Sequence, residues 1–180
     1  MKIMKFGGTS VGKPERMHSV AQLITKDEES KIVVLSALSG TTNALVSIGD
    51  ALAAGDRTLA KQHIDKLEAH YQQFIKELVT TDAAYQKAKS IVAEHFEFLN
   101  IILKISFSDA LNKDILAQGE LLSTKLICVF LEEKGVSHAL LPALEFMVID
   151  SNDEPLLPLI KTRLAHSLEQ HPGIKLFITQ

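Results

Sequence analysis

Residues 31–43 read KIVVLSALSGTTN, and this stretch decides the fold class. Its first five residues, Lys31–Leu35, form a β-branched run that is typical of a strand buried in a parallel sheet. The residues that follow are mostly small and polar and include Gly40, so they predict a loop at the carboxyl end of that strand. Ligands of open parallel sheets bind beyond the carboxyl ends of the strands. The stretch therefore predicts an α/β fold and the edge of the sheet where a ligand would lie.

The N-terminus repeats this arrangement of a strand followed by small residues. Lys2–Phe6 predicts a strand that ends at Gly7 and Gly8, and Pro14 suits the first turn of the next helix. Adjacent glycines allow a sharp turn and expose backbone N–H groups, which suit an anion such as phosphate. The spacing is neither a Walker A loop nor a Rossmann fingerprint, so a plain tight turn is an equal alternative from these residues alone. Because each follows a buried type of strand, Gly8 and Gly40 are expected at the same edge of one sheet.

The rest of the chain alternates between helical and strand-like patterns. Apolar residues at helical spacing predict amphipathic helices over 44–54, over a hairpin interrupted at 80–82, over 108–134 and over 155–170. Strand-like runs recur at 137–141, 146–149 and 175–179. Strands that alternate with helices predict a mainly parallel sheet covered on both faces.

Composition excludes several classes of function. The formal net charge of −3 leaves no basic excess for nucleic-acid binding. No apolar run reaches the roughly 18 residues that a membrane span needs, and the N-terminus lacks the apolar region of a signal peptide. Cys128 is the single cysteine, so no internal disulfide can form, which favours a cytoplasmic location. The histidines show no metal-ligand spacing and are interpreted as surface or packing residues, so no metal site is predicted.

A third polar motif lies inside the long helix predicted over 108–134. Residues 114–125 read DILAQGELLSTK. Glycine in a helix costs about 1 kcal/mol relative to alanine, so Gly119 indicates close approach of a ligand or of another segment. Glu120 can accept hydrogen bonds from an ammonium group, although a solvated helix glutamate is the commoner alternative. In the second motif, likewise, Thr41 or Thr42 taken alone favours an ordinary helix N-cap.

In combination and in this order, the three motifs resemble the signatures of the aspartate kinase family. They are KFGGTSVG at 5–12, VVLSALSGTTN at 33–43 and QGELLSTK at 118–125. The resemblance covers the whole chain and is loosest in the helical hairpin. It implies the amino acid kinase fold, an α/β/α sandwich. It also implies transfer of a phosphoryl group from ATP, as its Mg²⁺ complex, to the side-chain carboxylate of L-aspartate, the first step of lysine, threonine and methionine biosynthesis.

The resemblance implies roles for residues on the phosphate side of the site. Lys5 would contact the transferring phosphoryl group and offset its developing charge. Gly7 and Gly8 would offer backbone N–H groups to the same phosphate, and Phe6 belongs to this phosphate-binding segment.

The remaining implied roles fall in the second and third motifs. Ser39 and Gly40 would line the phosphate site from the opposite side. Thr42 would bind the aspartate substrate, and Glu120 would hold its α-ammonium group. The acceptor carboxylate is already ionised at neutral pH, so the resemblance requires no general base.

The chain departs from the family pattern in two places. Residues 142–144 read PAL where the family often has an Asp-Ala-Arg-like stretch, so a basic group is not expected there. Family segments that follow a Thr-Gln pair would lie beyond Thr179 and Gln180. Residues 1–180 are therefore expected to be the N-terminal portion of the catalytic domain, without the ATP-binding half and the regulatory ACT domains.

Such a portion is expected to be inactive alone and to leave a sheet edge unpaired near residues 175–179, whereas the full-length protein is expected to form a homo-oligomer. Two alternatives stay open. One is another enzyme of the amino acid kinase fold, which would act on glutamate, acetylglutamate or a nucleotide. The other is a non-catalytic domain that only binds or oligomerises.

Overall fold

A computed structural model describes all 180 residues, and its centre is a four-stranded parallel sheet. The strands are β1 (Lys2–Phe6), β2 (Lys31–Leu35), β3 (Ala139–Leu140) and β4 (Leu176–Thr179). They lie in the order β1-β2-β4-β3, and all three pairings are parallel. Parallel neighbours need long crossover connections, which the helices supply. The predicted α/β fold with a mainly parallel sheet is confirmed.

Eight helices complete the fold, and the signals at their first residues explain where several of them begin. They are α1 (Gly8–Val11), α2 (Pro14–Ile24), α3 (Thr41–Ala53), α4 (Arg57–Leu78), α5 (Asp82–Ile102), α6 (Asp109–Glu133), α7 (Ala143–Phe146) and α8 (Leu157–Glu169). The side chains of Asp56, Thr81 and Ser108 each accept a backbone N–H from the first turn of α4, α5 and α6, respectively. Such caps satisfy N–H groups that have no partner inside the helix.

The sheet separates two cores of different size, because successive side chains of a strand point to opposite faces. Val33 and Ile178 enter a core of 35 buried residues that is formed mainly with α2 to α6. Ile32 and Phe177 enter a core of five buried residues that packs against α7 and α8. Helices therefore cover both faces, as expected of an α/β/α sandwich.

A carboxylate of α6 holds the turn between α4 and α5. The side chain of Glu133 is 2% exposed, and its Oε1 accepts the backbone N–H groups of Thr80 at 2.7 Å and Thr81 at 2.6 Å. Burial by itself would raise the pKa of Glu133, but the hydrogen bonds from Thr81 and Thr80 outweigh it and lower the pKa to about 2. The turn at 79–81 is thus held by a group that stays ionised at neutral pH.

The predicted strand at 146–149 is wrong. Phe146 ends α7, and Ile149 forms only an isolated antiparallel bridge with Pro155. The chain here folds back over a local turn, in which Asp150 Oδ1 accepts the N–H groups of Asn152 and Glu154. Ile149 is 52% exposed, so the apolar run that suggested a buried strand lies largely at the surface.

Two further expectations need correction. β4 lies between β2 and β3, so the strand near residues 175–179 is interior to the sheet, and β1 and β3 form its edges. The helix expected from residue 44 begins at Thr41, because the positive φ of Gly40 ends the loop and the polar residues after it form the first helical turn.

Candidate active site

The turn after β1 lies directly against the loop after β2. A Cβ placed on Gly8 would lie 2.8 Å from the carbonyl oxygen of Ala37, and one on Gly12 would lie 2.5 Å from the Cβ of Ser39. Side chains larger than hydrogen do not fit at these distances, so the glycines allow the two backbone segments to touch. The expectation that the two glycine-containing turns meet at one edge of the sheet is confirmed.

Gly7 borders open space instead. No atom lies within 4 Å of a Cβ placed on it, and its φ of −77° and ψ of 169° are extended values that any residue can adopt. Its carbonyl oxygen accepts the backbone N–H of Ser10 at 2.8 Å. The space beside Gly7 leaves room for an anion, as the predicted phosphate contact requires.

Lys5 and Phe6 point to opposite faces of β1. Phe6 packs against the large core, and its carbonyl oxygen accepts the N–H of Ser36 at 3.1 Å, so this residue serves packing and strand pairing. Lys5 is exposed, and the alternation of the strand directs its side chain to the other face of the sheet. Its ammonium group takes part in none of the six ion pairs of the protein. The charge of Lys5 is therefore available to a ligand.

The loop after β2 delivers two threonines with different surroundings. Gly40 has a φ of +85°, a left-handed conformation that glycine adopts without a steric penalty, and it turns the chain into α3. Thr41 is buried, and its Oγ1 lies 3.0 Å from the hydroxyl oxygen of Tyr71. Thr42, in the same first turn of α3, is exposed, as is Ser39 in the loop. Of the two threonines, only Thr42 is open to a ligand.

Helix α6 brings the third motif to the same place. A Cβ on Gly119 would lie 2.7 Å from the Cβ of Ala37 and 3.2 Å from Cγ2 of Thr41. The close approach expected at Gly119 is therefore made by side chains of the second motif. Glu120 is half-buried beside it. Because its neighbour Gly119 packs against Thr41, Glu120 lies near the first turn of α3.

A set of hydrogen bonds that the sequence did not predict joins the ends of the strands. Ser123 Oγ of α6 donates to the carbonyl oxygen of Ser36 at 2.8 Å. Gln180 Nε2 donates to Thr124 Oγ1 at 2.8 Å, and Gln180 Oε1 accepts the N–H of Ala143 at 2.8 Å. The two hydroxyl residues of QGELLSTK are the one signal that could have indicated these bonds. They hold the segments after β2, β3 and β4 together around α6.

A buried histidine supports α6 next to Gly119. Lys125 Nζ lies 2.9 Å from His95 Nε2, and His95 Nδ1 lies 2.6 Å from Gln118 Oε1. An ammonium group only donates and an amide oxygen only accepts, so a neutral ring must accept at Nε2 and donate at Nδ1. Burial lowers the pKa of His95, which agrees with the neutral form. The prediction of a packing role is confirmed for His95, which also takes part in a chain of hydrogen bonds from Lys125 to Gln118.

A groove of about 460 Å³ opens beside this edge, between α3 and α4. Ser39 and Gly40 form one end of it, and His63, Lys66 and His70 contribute basic or titratable groups to its walls. No acidic residue lines it. This composition makes the groove favourable for an anionic ligand.

No group of three or more His, Cys, Asp or Glu side chains is arranged to hold a metal ion. Burial raises the pKa of Cys128 to about 12, so its thiol stays protonated and is a poor nucleophile. No helix combines the length and the apolar character needed to cross a membrane.

Comparison with known proteins identifies relatives for this arrangement. Aspartokinase 1, chloroplastic, of Arabidopsis thaliana is 33% identical over 186 aligned positions, which cover 96% of this chain and 32% of the relative. Lysine-sensitive aspartokinase 3 of Escherichia coli is 32% identical over 136 positions, which cover 74% of this chain and 29% of the relative. The chain thus spans about a third of the length of these relatives.

The fold is shared with a solved structure of such an enzyme. Escherichia coli aspartokinase III in complex with aspartate and ADP superimposes with a TM-score of 0.81 at 25% identity, covering 100% of this chain and 40% of that one. The sequence model of the amino acid kinase family matches residues 1–179. The chain therefore belongs to the amino acid kinase family, and its predicted resemblance to aspartate kinases is confirmed.

Proposed function

We propose that this chain supplies the phosphoryl-binding and acceptor-binding groups for ATP-dependent phosphorylation of the side-chain carboxylate of L-aspartate, which yields 4-phospho-aspartate. One observation carries the proposal: Gly8 of the first motif and Gly119 of the third both close on Ala37 of the second. Three motifs, of which the first and the third are more than a hundred residues apart, thus meet at one edge of the sheet. Relatives named as aspartokinases, and the related structure that contains aspartate and ADP, support the choice of substrates.

In this proposal the phosphate side acts through charge and backbone N–H groups. Phosphoryl transfer passes through a loose transition state, so catalysis consists mostly of holding the partners in line and offsetting charge. The ammonium group of Lys5 would face the transferring group, and the N–H groups of Gly7 and Gly8 would bind its oxygens. Ser39 and Gly40 would close the site from the loop after β2. The Mg²⁺ ion would arrive as part of the ATP complex.

The acceptor side would lie where α3 meets α6. The exposed hydroxyl of Thr42 would bind aspartate, and the carboxylate of Glu120 would hold its α-ammonium group. A free aspartate side chain has a pKa near 3.9, so it is ionised at neutral pH and attacks without a general base. Recognition of the ammonium group would favour an amino acid over a nucleotide as the acceptor.

The proposal includes three further expectations. The 180 residues alone should not turn over aspartate, because the chain spans about a third of its relatives and in-line transfer requires both substrates to be held. By the family resemblance, nucleotide-binding and regulatory ACT segments would belong to the rest of the polypeptide. The full protein would act in the cytoplasm as a homo-oligomer.

The test is a coupled assay of ADP release with aspartate and Mg-ATP, on the complete natural polypeptide that carries this chain. Thr42→Ala and Glu120→Ala are expected to raise the KM for aspartate about 10-fold or more, the scale of a hydrogen bond to a charged group, with little change in the KM for ATP. Thr58→Ala and Glu97→Ala, exposed positions on α4 and α5, are the matched controls. An increase in the KM for ATP alone would contradict these roles, and turnover of glutamate in place of aspartate would show another acceptor.

A further inference from the structure

The first turn of α3 is held differently from the first turns of α4, α5 and α6. The N-caps of α4, α5 and α6 are side chains that accept a backbone N–H. The N-cap of α3 is Gly40, which has no side chain to offer. The first N–H groups of a helix have no intrahelical partner, so an uncapped first turn frays unless other contacts fix it. For α3 this matters, because the first turn contains Thr42.

A tyrosine from α4 holds the side chain of the first residue of α3. Tyr71 is fully buried, and its hydroxyl forms a hydrogen bond of 3.0 Å with Thr41 Oγ1, at the first position of α3. The methyl group of the same threonine faces α6, since a Cβ on Gly119 would lie 3.2 Å from Thr41 Cγ2. Thr41 is therefore fixed by α4 through its oxygen and by α6 through its methyl group.

The hydroxyl of Tyr71 is not explained by packing. Its ring lies in the apolar core beside Phe96, where phenylalanine would avoid the cost of burying an oxygen. The hydroxyl bonds to Thr41 Oγ1, and removal of either oxygen leaves the other buried and unpaired. Apolar residues would be enough to fill this part of the core, so the hydrogen bond between Tyr71 and Thr41 needs an explanation other than packing.

We infer that Tyr71 is a positioning residue for the acceptor site: through Thr41, its hydroxyl holds the first turn of α3 and thereby sets Thr42 against Glu120. The inference rests on the proposed function for the role of Thr42. Tyr71 does not touch the substrate in this arrangement. Its loss should loosen aspartate binding while the phosphate side, which is built on β1 and the loop after β2, keeps its affinity for ATP.

The experiment removes single atoms in the complete natural polypeptide. Tyr71→Phe deletes the hydroxyl, and Thr41→Val deletes its partner while keeping the methyl group that faces Gly119. Each is expected to raise the KM for aspartate about 2- to 10-fold, the range of one neutral hydrogen bond, with the KM for ATP unchanged. The double variant should be no worse than either single one, because both remove the same bond. Tyr85→Phe, at a half-buried tyrosine of α5, is the control and should change nothing.

Amide hydrogen exchange gives a readout that does not depend on activity. Exchange at Thr41 and Ala44, whose N–H groups donate to the carbonyl oxygens of Leu38 and Gly40, should accelerate in Tyr71→Phe and not in Tyr85→Phe. Equal increases in both KM values, additive effects of the two variants, or unchanged exchange at Thr41 and Ala44 would each overturn the inference. A wild-type protein without aspartate-dependent turnover overturns the proposed function instead, and exchange then decides whether Tyr71 holds α3.

Discussion

Replacement of the two adjacent glycines of the first motif by alanine should change the stability of the protein in opposite directions. Gly8 has no room for a methyl group, because its Cβ would lie 2.8 Å from the carbonyl oxygen of Ala37. The clash is with a backbone atom, so it can be removed only if the turn after β1 and the loop after β2 move apart. Overpacking of this kind costs about 1–3 kcal/mol, and the helical propensity that alanine adds at the start of α1 offsets roughly 0.5–1 kcal/mol.

The expected loss of about 1–2 kcal/mol for Gly8→Ala corresponds to a Tm lower by about 2–8 °C for a chain of this size. Gly7→Ala is the matched control. Its Cβ would meet nothing within 4 Å, and the backbone there is extended, so alanine should stabilise by about 0.4–1 kcal/mol through the unfolded state. Thermal and urea unfolding of both variants measure the difference. Equal midpoints for the two variants would refute the claim that Gly8 is required by contact with Ala37.

Three more predictions concern charge. Lys5→Ala should lower kcat about 100-fold or more without unfolding the protein. Lys5→Arg should lower kcat as well, because a planar guanidinium does not replace a compact ammonium. Lys13→Ala is the control, and near-normal turnover by Lys5→Ala would remove Lys5 from the mechanism. Because the folded-state pKa of Glu133 is lowered from 4.5 to about 2, its contribution to stability is present above pH 4.5 and is lost as the pH falls toward 2. The free energy of unfolding should therefore fall less steeply with acidification in Glu133→Gln than in the wild type. The pKa of His95 is lowered from 6.5, so the contribution of its neutral ring to the free energy of unfolding is present above that pH and is lost at lower pH. The free energy of unfolding in urea should therefore depend less on pH in His95→Gln, between about pH 7 and pH 5, than in the wild type. An unchanged dependence would contradict the assignment of a neutral His95.

Local signals in the sequence predicted most of the elements and the edge where the motifs meet. Pro14 marks the start of α2, and Thr81 and Ser108 cap the helices that follow them. Strand β2 was recognisable because buried parallel strands carry continuous apolar runs, whereas β1, a largely exposed edge strand, was recognised from the two glycines that end it. The meeting of Gly8 with the second motif followed from a general property of parallel sheets, in which the carboxyl ends of the strands share an edge.

The features that were missed depend on contacts between distant segments. The central position of β4 is set by pairing with β2 and β3, which no local pattern encodes. The bond between Tyr71 and Thr41 joins residues thirty positions apart, and each residue fits a simpler explanation as a core aromatic or as a helix cap. Gly119 was recognised as a point of close approach, but its neighbour, Ala37, emerged only from the packing of α6 on the loop after β2.

The strand order has a consequence for synthesis on the ribosome. The ribosome synthesises β1 and β2 early and β3 more than a hundred residues later. β3 pairs only with β4, which is synthesised after the other three strands. The helices from α3 to α6 are joined by neighbouring contacts, so they can assemble while the chain is still growing. Until Leu176–Thr179 has left the exit tunnel, β2 keeps an open side that can pair with strands of other nascent chains. Within residues 1–180, the pairings of β2 and β3 with β4 are therefore the last strand pairings that translation allows.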